Sequence, residues 1–191
     1  MGINLNLGCG RSPLQGWLNL DLAAGQGVDV VADLDACRTT PLPFRDDSVS
    51  RLRMIHVLEH IGDTLALMQE LHRIAEPGAL LLIHSPYGSS DDAYEDPTHR
   101  QRFFMNSFAY FGQPAFWRAD YGYRGDWDVE SLVLTMPAAD NQGLTEHELT
   151  RKVFERRNVV LEIQAVMKAI KPIRPADRAL QRGVAASIKL V

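Results

Sequence analysis

Only two of the 191 residues are cysteine, Cys9 and Cys37, and their separation fits neither a metal-ligand pair nor a disulfide framework. Two free thiols of a reducing compartment are therefore expected. Long apolar runs are missing as well: none approaches the ~20 residues needed to span a bilayer. The segment Met1 to Asn6 has neither a basic n-region nor a cleavage site, so no signal peptide is read there and the cytoplasm is the expected compartment. Internal repeats, low-complexity tracts and long linkers are lacking. The dinucleotide fingerprint is incomplete: Arg11-Ser12-Pro13 follows Gly8-Cys9-Gly10 where a third glycine should open a helix. Without that pyrophosphate cradle, NAD and FAD are disfavoured.

What is there reads as one globular domain. Apolar residues make up 46 % and charged residues 23 %, an ordinary balance. The net charge of −4 is unevenly spread. Arg151 to Val191 carries ten Lys/Arg against three Asp/Glu; residues 1–150 carry ten against twenty-one. An acidic body with a basic tail, and no aromatic-basic interleaving, does not suggest a nucleic-acid binder. Residues 1–171 are taken as the domain and 172–191 as the tail, which is expected to be a solvated face or to pack on the acidic body.

Ile3 to Leu7 alternates and runs into a glycine turn, as a strand should. Trp17 to Leu22, Val28 to Ala32 and Val49 to Val57 read as further strands. Leu65, Met68, Leu71 and Ile74 recur at helical spacing, predicting a helix over 63–76 that stops at Pro77-Gly78. The apolar run Ala79 to His84 predicts a buried central strand. Residues 87–105 read as a long loop and 106–111 as a short helix. Asp128 to Met136 and Asn158 to Met167 predict a long hairpin, and 176–182 a short helix in the tail.

This order predicts an α/β fold with a mostly parallel sheet and a C-terminal antiparallel hairpin. Only Arg11 to Gly16 and Ala23 to Gly27 separate the first three strands, too few for ordinary βαβ crossovers. The first helices should be reduced and one sheet face left thinly covered, with the tail or a second subunit, making a homodimer, over it.

Glycines past a central strand admit a ligand close to the backbone, at the carboxyl end where open α/β sheets bind ligands. Alone, Gly8-Cys9-Gly10 is equally well a tight turn. Asp21 closes the second strand, where a carboxylate can accept from two ribose hydroxyls; a surface acid is the bland alternative. Asp33 follows the third strand, where it could accept from an adenine amine or simply make a turn.

Taken in order, Leu5 to Gly10, Asn19-Leu20-Asp21, Val30 to Leu34, Pro41 to Val49, His56 to Ile61, Glu70 to Gly78 and Asp96 to Arg100 resemble the class I S-adenosylmethionine (SAM)-dependent methyltransferases. The nearest look is a compact branch in which Gly16-Trp17 and an early acid replace the first helix. The resemblance covers residues 3–111 and implies a Rossmann-like sheet and SAM as cofactor. With no nucleic-acid-binding patterning and no large inserted recognition domain, a small-molecule acceptor, a sugar or glycolipid precursor, is expected; the atom methylated is not legible in the sequence. By resemblance, Gly8, Cys9 and Gly10 lie under the methionine part of SAM, Asp21 holds the ribose, Asp33 and Leu34 flank the adenine, and His56 lies near the cofactor. Two departures stand out: the short Gly10–Asp21 spacing, and Val49-Ser50 in place of the family's Phe-Asp.

SAM is a net cation, which an acidic body attracts. Acceptor binding is expected after the fifth strand, from Tyr87, Asp96 and Arg100. His99 is the candidate general base, histidine being the residue type suited to that role near neutral pH, with Asp96 to orient it, and Arg100 and Arg102 could clamp an anionic acceptor. A capped turn over Asp96 to His99 is the structural alternative. Two other functions compete. His56-Val57-Leu58-Glu59-His60 fits the zinc pattern H-x-x-E-H, which would make a hydrolase, but it ends a strand rather than lying on a helix, and no metal is expected. A non-catalytic SAM-binding domain is the other, since a fold alone proves no reaction.

Overall fold

The computed structural model describes residues 2–191. Its strands are β1 (Ile3–Leu7), β2 (Leu18–Asp21), β3 (Val30–Val31), β4 (Val49–Ile55), β5 (Ala75–Pro86), β6 (Trp127–Met136), β7 (Glu162–Ala169) and β8 (Ala186–Leu190). The helices are α1 (Thr64–Ile74), the single turn α2 (Asp92–Glu95) and α3 (Glu146–Glu155). All eight strands form one sheet in the order β3-β2-β1-β4-β5-β7-β6-β8. Neighbours are parallel except β7, which runs antiparallel to both β5 and β6. This is the expected α/β, Rossmann-like sheet with its antiparallel hairpin. No helix among the described residues is long and apolar enough to cross a membrane.

The first crossovers contain no helix, and two asparagines replace it. Asn6 on β1 donates to Asn19 Oδ1 on β2 at 3.0 Å. The same Asn19 oxygen accepts the Leu14 amide at 2.7 Å, and its amide nitrogen reaches the Leu14 and Trp17 carbonyls at 3.2 Å. Buried side-chain amides thus satisfy the backbone that a helix would have satisfied internally.

The core lies on one side of the sheet. Leu5, Leu7, Leu52, Met54, Leu81 and Ile83 point there and are fully or almost fully buried. They meet α1, whose Leu67, Met68, Leu71 and Ile74 are also sealed from solvent. Asp63 caps α1 by accepting the Ala66 amide at 3.0 Å. By strand alternation, Arg51, Leu80 and Lys168 share the other face, and all three are exposed. The thin cover expected there is real, but the tail does not supply it. The tail instead adds β8 to the sheet beyond β6.

Four expectations need correction. The hairpin loop contains α3, opened by a capping box between Thr145 and Glu148. The tail makes only a 3₁₀ turn at Arg178–Leu180, and β8 was not foreseen. The third strand shrinks to two residues, because nothing beyond it offers a partner. The helix expected over 106–111 is a 3₁₀ turn at Phe108–Phe111.

His72 closes α1 with its Nε2 3.0 Å from the Ile170 carbonyl and its ring edge-on to Trp127. Burial lowers its pKa. Between its unfolded pKa of about 6.5 and the lower folded value, the unfolded chain binds the extra proton, so stability rises with pH there. Full stabilisation is present above pH ~6.5 and is lost as pH falls below it. Urea midpoints at pH 8 and pH 5 should differ less in His72→Gln, which keeps a donor without the titration, than in the wild type.

Candidate active site

β1, β2, β3 and β4 all end on one rim of the sheet. The chain leaves β1 toward β2 and β3, then returns to β4 on the other side of β1. That reversal opens a crevice at the carboxyl ends. Here it is a cleft of about 670 Å³ lined by Gly8, Asp21, Asp33, Leu34, Asp35, His56, Val57 and His60, with Pro97, Thr98 and Arg100 on its far wall. Its size suits a small-molecule cofactor.

Gly8 and Gly10 adopt left-handed φ values of 61° and 52°, a conformation that costs little only for glycine. They are required for different reasons. A Cβ on Gly8 would stand 2.5 Å from Val57 Cγ2, whereas one on Gly10 would meet nothing within 4 Å. Gly8 packs and Gly10 leaves room. Asp21 Oδ2 accepts the Gly10 amide at 2.7 Å, which fixes the turn against β2 despite the short spacing. The other oxygen receives only a longer contact of 3.3 Å from the Ala23 amide, so it keeps acceptor capacity toward the cleft. Asp33 caps the 3₁₀ turn at Leu34–Ala36 by accepting the Asp35 amide through Oδ1. Asp33 thus makes the turn and also lines the cleft. Cys9 is buried, with its amide on the Leu20 carbonyl at 3.0 Å; burial, then Asp21, raises its thiol pKa. Its backbone shapes the turn while its side chain lies out of the cleft.

His56 sits just beyond β4 at φ 52°, an uncommon conformation for a residue with a Cβ. Its ring nitrogens explain the position: Nε2 lies 3.0 Å from Glu162 Oε1 and Nδ1 lies 3.3 Å from Glu59 Oε1. Glu162, then Glu59, pushes the imidazole pKa up to about 10. Glu162 arrives from β7, and its own pKa is lowered, first by His56. The sequence offered Glu59 only as the acid of the zinc pattern, and Glu162 not at all. Glu162 reaches the site only because β7 inserts between β5 and β6.

The residues expected to hold an acceptor divide. Arg100 lines the cleft, but its guanidinium is committed to Asp35 at 2.6 Å, latching the loop over 97–100 to the rim beside Asp33. Tyr87 is buried and edge-on to Phe104, away from the cleft lining. Asp96 accepts the Thr98 hydroxyl at 2.6 Å and the Thr98 amide at 2.7 Å, and these bonds lower its pKa. His99 stands behind the wall, its side chain 7 % exposed, edge-on to His60 at 4.8 Å. Arg102 donates to the His99 carbonyl and lies over the Tyr94 ring rather than facing a ligand. His60, which does line the cleft, was not singled out as an acceptor-side residue. The two histidines of the zinc pattern do not share a helix: His56 ends at β4, and Leu58–His60 is a separate 3₁₀ turn.

The residues fit SAM. The left-handed turn leaves open space, Asp21 retains a free lone-pair set, and three acids at the rim outnumber one paired arginine, suiting a cationic ligand. A second cavity of about 620 Å³ lies around Trp117, Trp127 and Arg178, at the opposite, amino end of the strands.

Comparison with known proteins agrees. Residues 5–83 match the family described as methyltransferase domain. Ajmaline N-methyltransferase from Rauvolfia serpentina is 31 % identical over 84 residues, 44 % of this chain and 27 % of that protein. The chain thus spans about a quarter of the length of that curated relative. A SAM-dependent methyltransferase from Archaeoglobus fulgidus superposes with a TM-score of 0.59 at 14 % identity, covering 87 % of this chain and 86 % of that one. A chain from the complex of the Haloferax volcanii Trm112 methyltransferase activator with its methyltransferase gives 0.53 at 16 % identity, covering 88 % and 83 %. Residues 5–83 thus resemble the methyltransferase domain family, and the sheet as a whole has the fold of solved SAM-dependent methyltransferases.

Proposed function

We propose that this chain transfers a methyl group from SAM to a small molecule bound against the Pro97–Arg100 wall, a sugar or glycolipid precursor being the preferred class. The observation that carries the reading is Asp21: it braces the glycine turn through one oxygen and offers the other to the cleft. Gly8 and Gly10 would seat the methionine part, Asp21 the ribose, and Asp33 with Leu34 the adenine. SAM supplies a methyl carbon activated by its sulfonium. The chain's task is to hold the acceptor in line with that carbon, since alignment provides much of the rate in such displacements. The latch between Arg100 and Asp35 holds the acceptor wall at a fixed height over the cofactor floor. Any proton the acceptor must lose leaves on the side of His60 and His99.

Calorimetry with SAM and S-adenosylhomocysteine tests this. Wild type should bind both in the micromolar range, and Asp21→Ala should weaken both by about 10- to 100-fold, the worth of hydrogen bonds to a charged group. Folded wild type that binds neither would overturn the reading.

A further inference from the structure

Behind the acceptor wall, Glu59 is 1 % exposed, yet neither of its carboxylate oxygens has a hydrogen-bond partner. His56 Nδ1 comes within 3.3 Å of one oxygen but is out of line for a hydrogen bond. The buried Nδ1 of His99 is likewise without a partner. His56 thus faces Glu59 as a charge without a hydrogen bond, and a buried carboxylate left with no hydrogen bond is costly and is eased by a directly bound cation. Glu59, His60 and His99 each offer one ligand atom, and the three atoms lie within 4.8 Å of one another.

The surrounding bonds orient the imidazoles for this task. Thr98 Oγ1 is 2.6 Å from Asp96 Oδ1 and 2.9 Å from His60 Nδ1. The hydroxyl has one proton. Donating it to the carboxylate makes Thr98 an acceptor for His60 Nδ1–H, which leaves the lone pair on His60 Nε2. His99 Nε2 faces Asp96 Oδ2 at 3.8 Å, leaving Nδ1 as the unoccupied nitrogen. Carboxylates behind ligating histidines set tautomer and ring orientation in this way. The backbone is tied to the same place: the Glu59 carbonyl accepts the amides of Arg100 and Gln101 at 2.8 and 3.0 Å, holding the two ligand-bearing segments together.

We propose that Glu59, His60 and His99 bind one first-row divalent transition-metal ion of the zinc class at the acceptor wall, and that the ion takes an oxygen of the acceptor. Two imidazoles and one carboxylate suit such an ion better than magnesium or calcium. Three protein ligands leave a position for an exchangeable oxygen, and His60 places it at the cleft. The acceptor's part rests on the methyltransferase reading above. A hydroxyl on the ion releases its proton to water near neutral pH. Its oxygen pair then bonds to the methyl carbon as the carbon–sulfur pair returns to the sulfonium, so charge balances. His60 and His99 would act here as ligands rather than as general bases.

The test uses the full chain stripped with a chelator and titrated with Co²⁺ and Zn²⁺, alongside S-adenosylhomocysteine calorimetry. Wild type should bind one ion per chain, with a Co²⁺ visible spectrum showing nitrogen ligation. Glu59→Gln and His99→Gln should each weaken the ion by at least ~100-fold while circular dichroism shows both folded, and in His99→Gln, whose side chain lies off the cleft, S-adenosylhomocysteine binding should stay within about threefold. Wild type that binds S-adenosylhomocysteine but no ion, or an ion that both variants retain, overturns the proposal. A chain that binds the ion but no S-adenosylhomocysteine overturns the methyltransferase reading and with it the acceptor's part.

Discussion

Asp126→Ala should cost about 3 kcal/mol in urea unfolding, a large share of the 5–15 kcal/mol that typically holds a domain together. Asp126 is fully buried just before β6 and accepts four hydrogen bonds. Arg174 supplies three, from its backbone amide at 2.8 Å, Nε at 2.9 Å and NH2 at 2.7 Å, and the Gln113 amide supplies one at 3.1 Å. The carboxylate in turn raises the Arg174 pKa. Removing the acid strands two amides and part of a guanidinium whose NH1 keeps Asp128 at 2.8 Å. The cost falls at the lower end of the range for broken buried pairs, because a fifth of the Arg174 side chain remains in solvent. Asp126→Ala combined with Arg174→Ala should cost less than the sum of the two single changes. Simple additivity would show that the pair is not coupled.

Gly8→Ala should lower stability by about 2–3 kcal/mol and weaken S-adenosylhomocysteine binding by about 100-fold. Two costs combine: an alanine held at φ 61°, and a Cβ driven against Val57. Strained left-handed residues cost on the order of 1–3 kcal/mol. The two costs separate experimentally. Adding Val57→Ala removes the clash but not the strain, so it should restore part of both losses. Gly10→Ala carries the strain alone and should cost only about 1 kcal/mol. Equal losses at the two glycines would contradict the distinction drawn from their surroundings.

The floor of the cleft was legible because its signals are local. A glycine turn after an alternating strand, an acid at the end of the next strand and another after the third can be read within a few residues of each other. Helix α1 was legible for the same reason, through its apolar spacing, but its end was misplaced at Pro77-Gly78, since the helix ends at Ile74. The stop lies inside β5, which starts directly at Ala75. Helix α3 was missed although Thr145 and Glu148 form a capping box, because the polar stretch Asp140 to Gly143 before it reads as a turn between two strands. β8 depends on a partner about fifty residues away, and the three alternating apolar residues Ala186, Ile188 and Leu190 say nothing of that distance. Glu162 was invisible for a topological reason: its place beside His56 follows from the antiparallel insertion of β7. The Pro97–Arg100 wall of the cleft was anticipated as a segment, but not in its details. His60 lines the cleft, whereas His99 and Tyr87 stand behind it.

The final strand has a consequence for the life of the molecule among its own copies. β8 covers Leu132 to Met136, the carboxyl half of the ten-residue β6. Stripped of β8, that stretch would present a row of unsatisfied amides and carbonyls beside Leu132 and Leu134, a template on which a foreign strand can add. The opposite border of the sheet ends in the two residues of β3, too short to recruit anything. Lys189, exposed on β8, further discourages a newcomer. The basic tail thus closes the sheet's long border with a short strand carrying a positive charge, the kind of edge on which further strands are disfavoured.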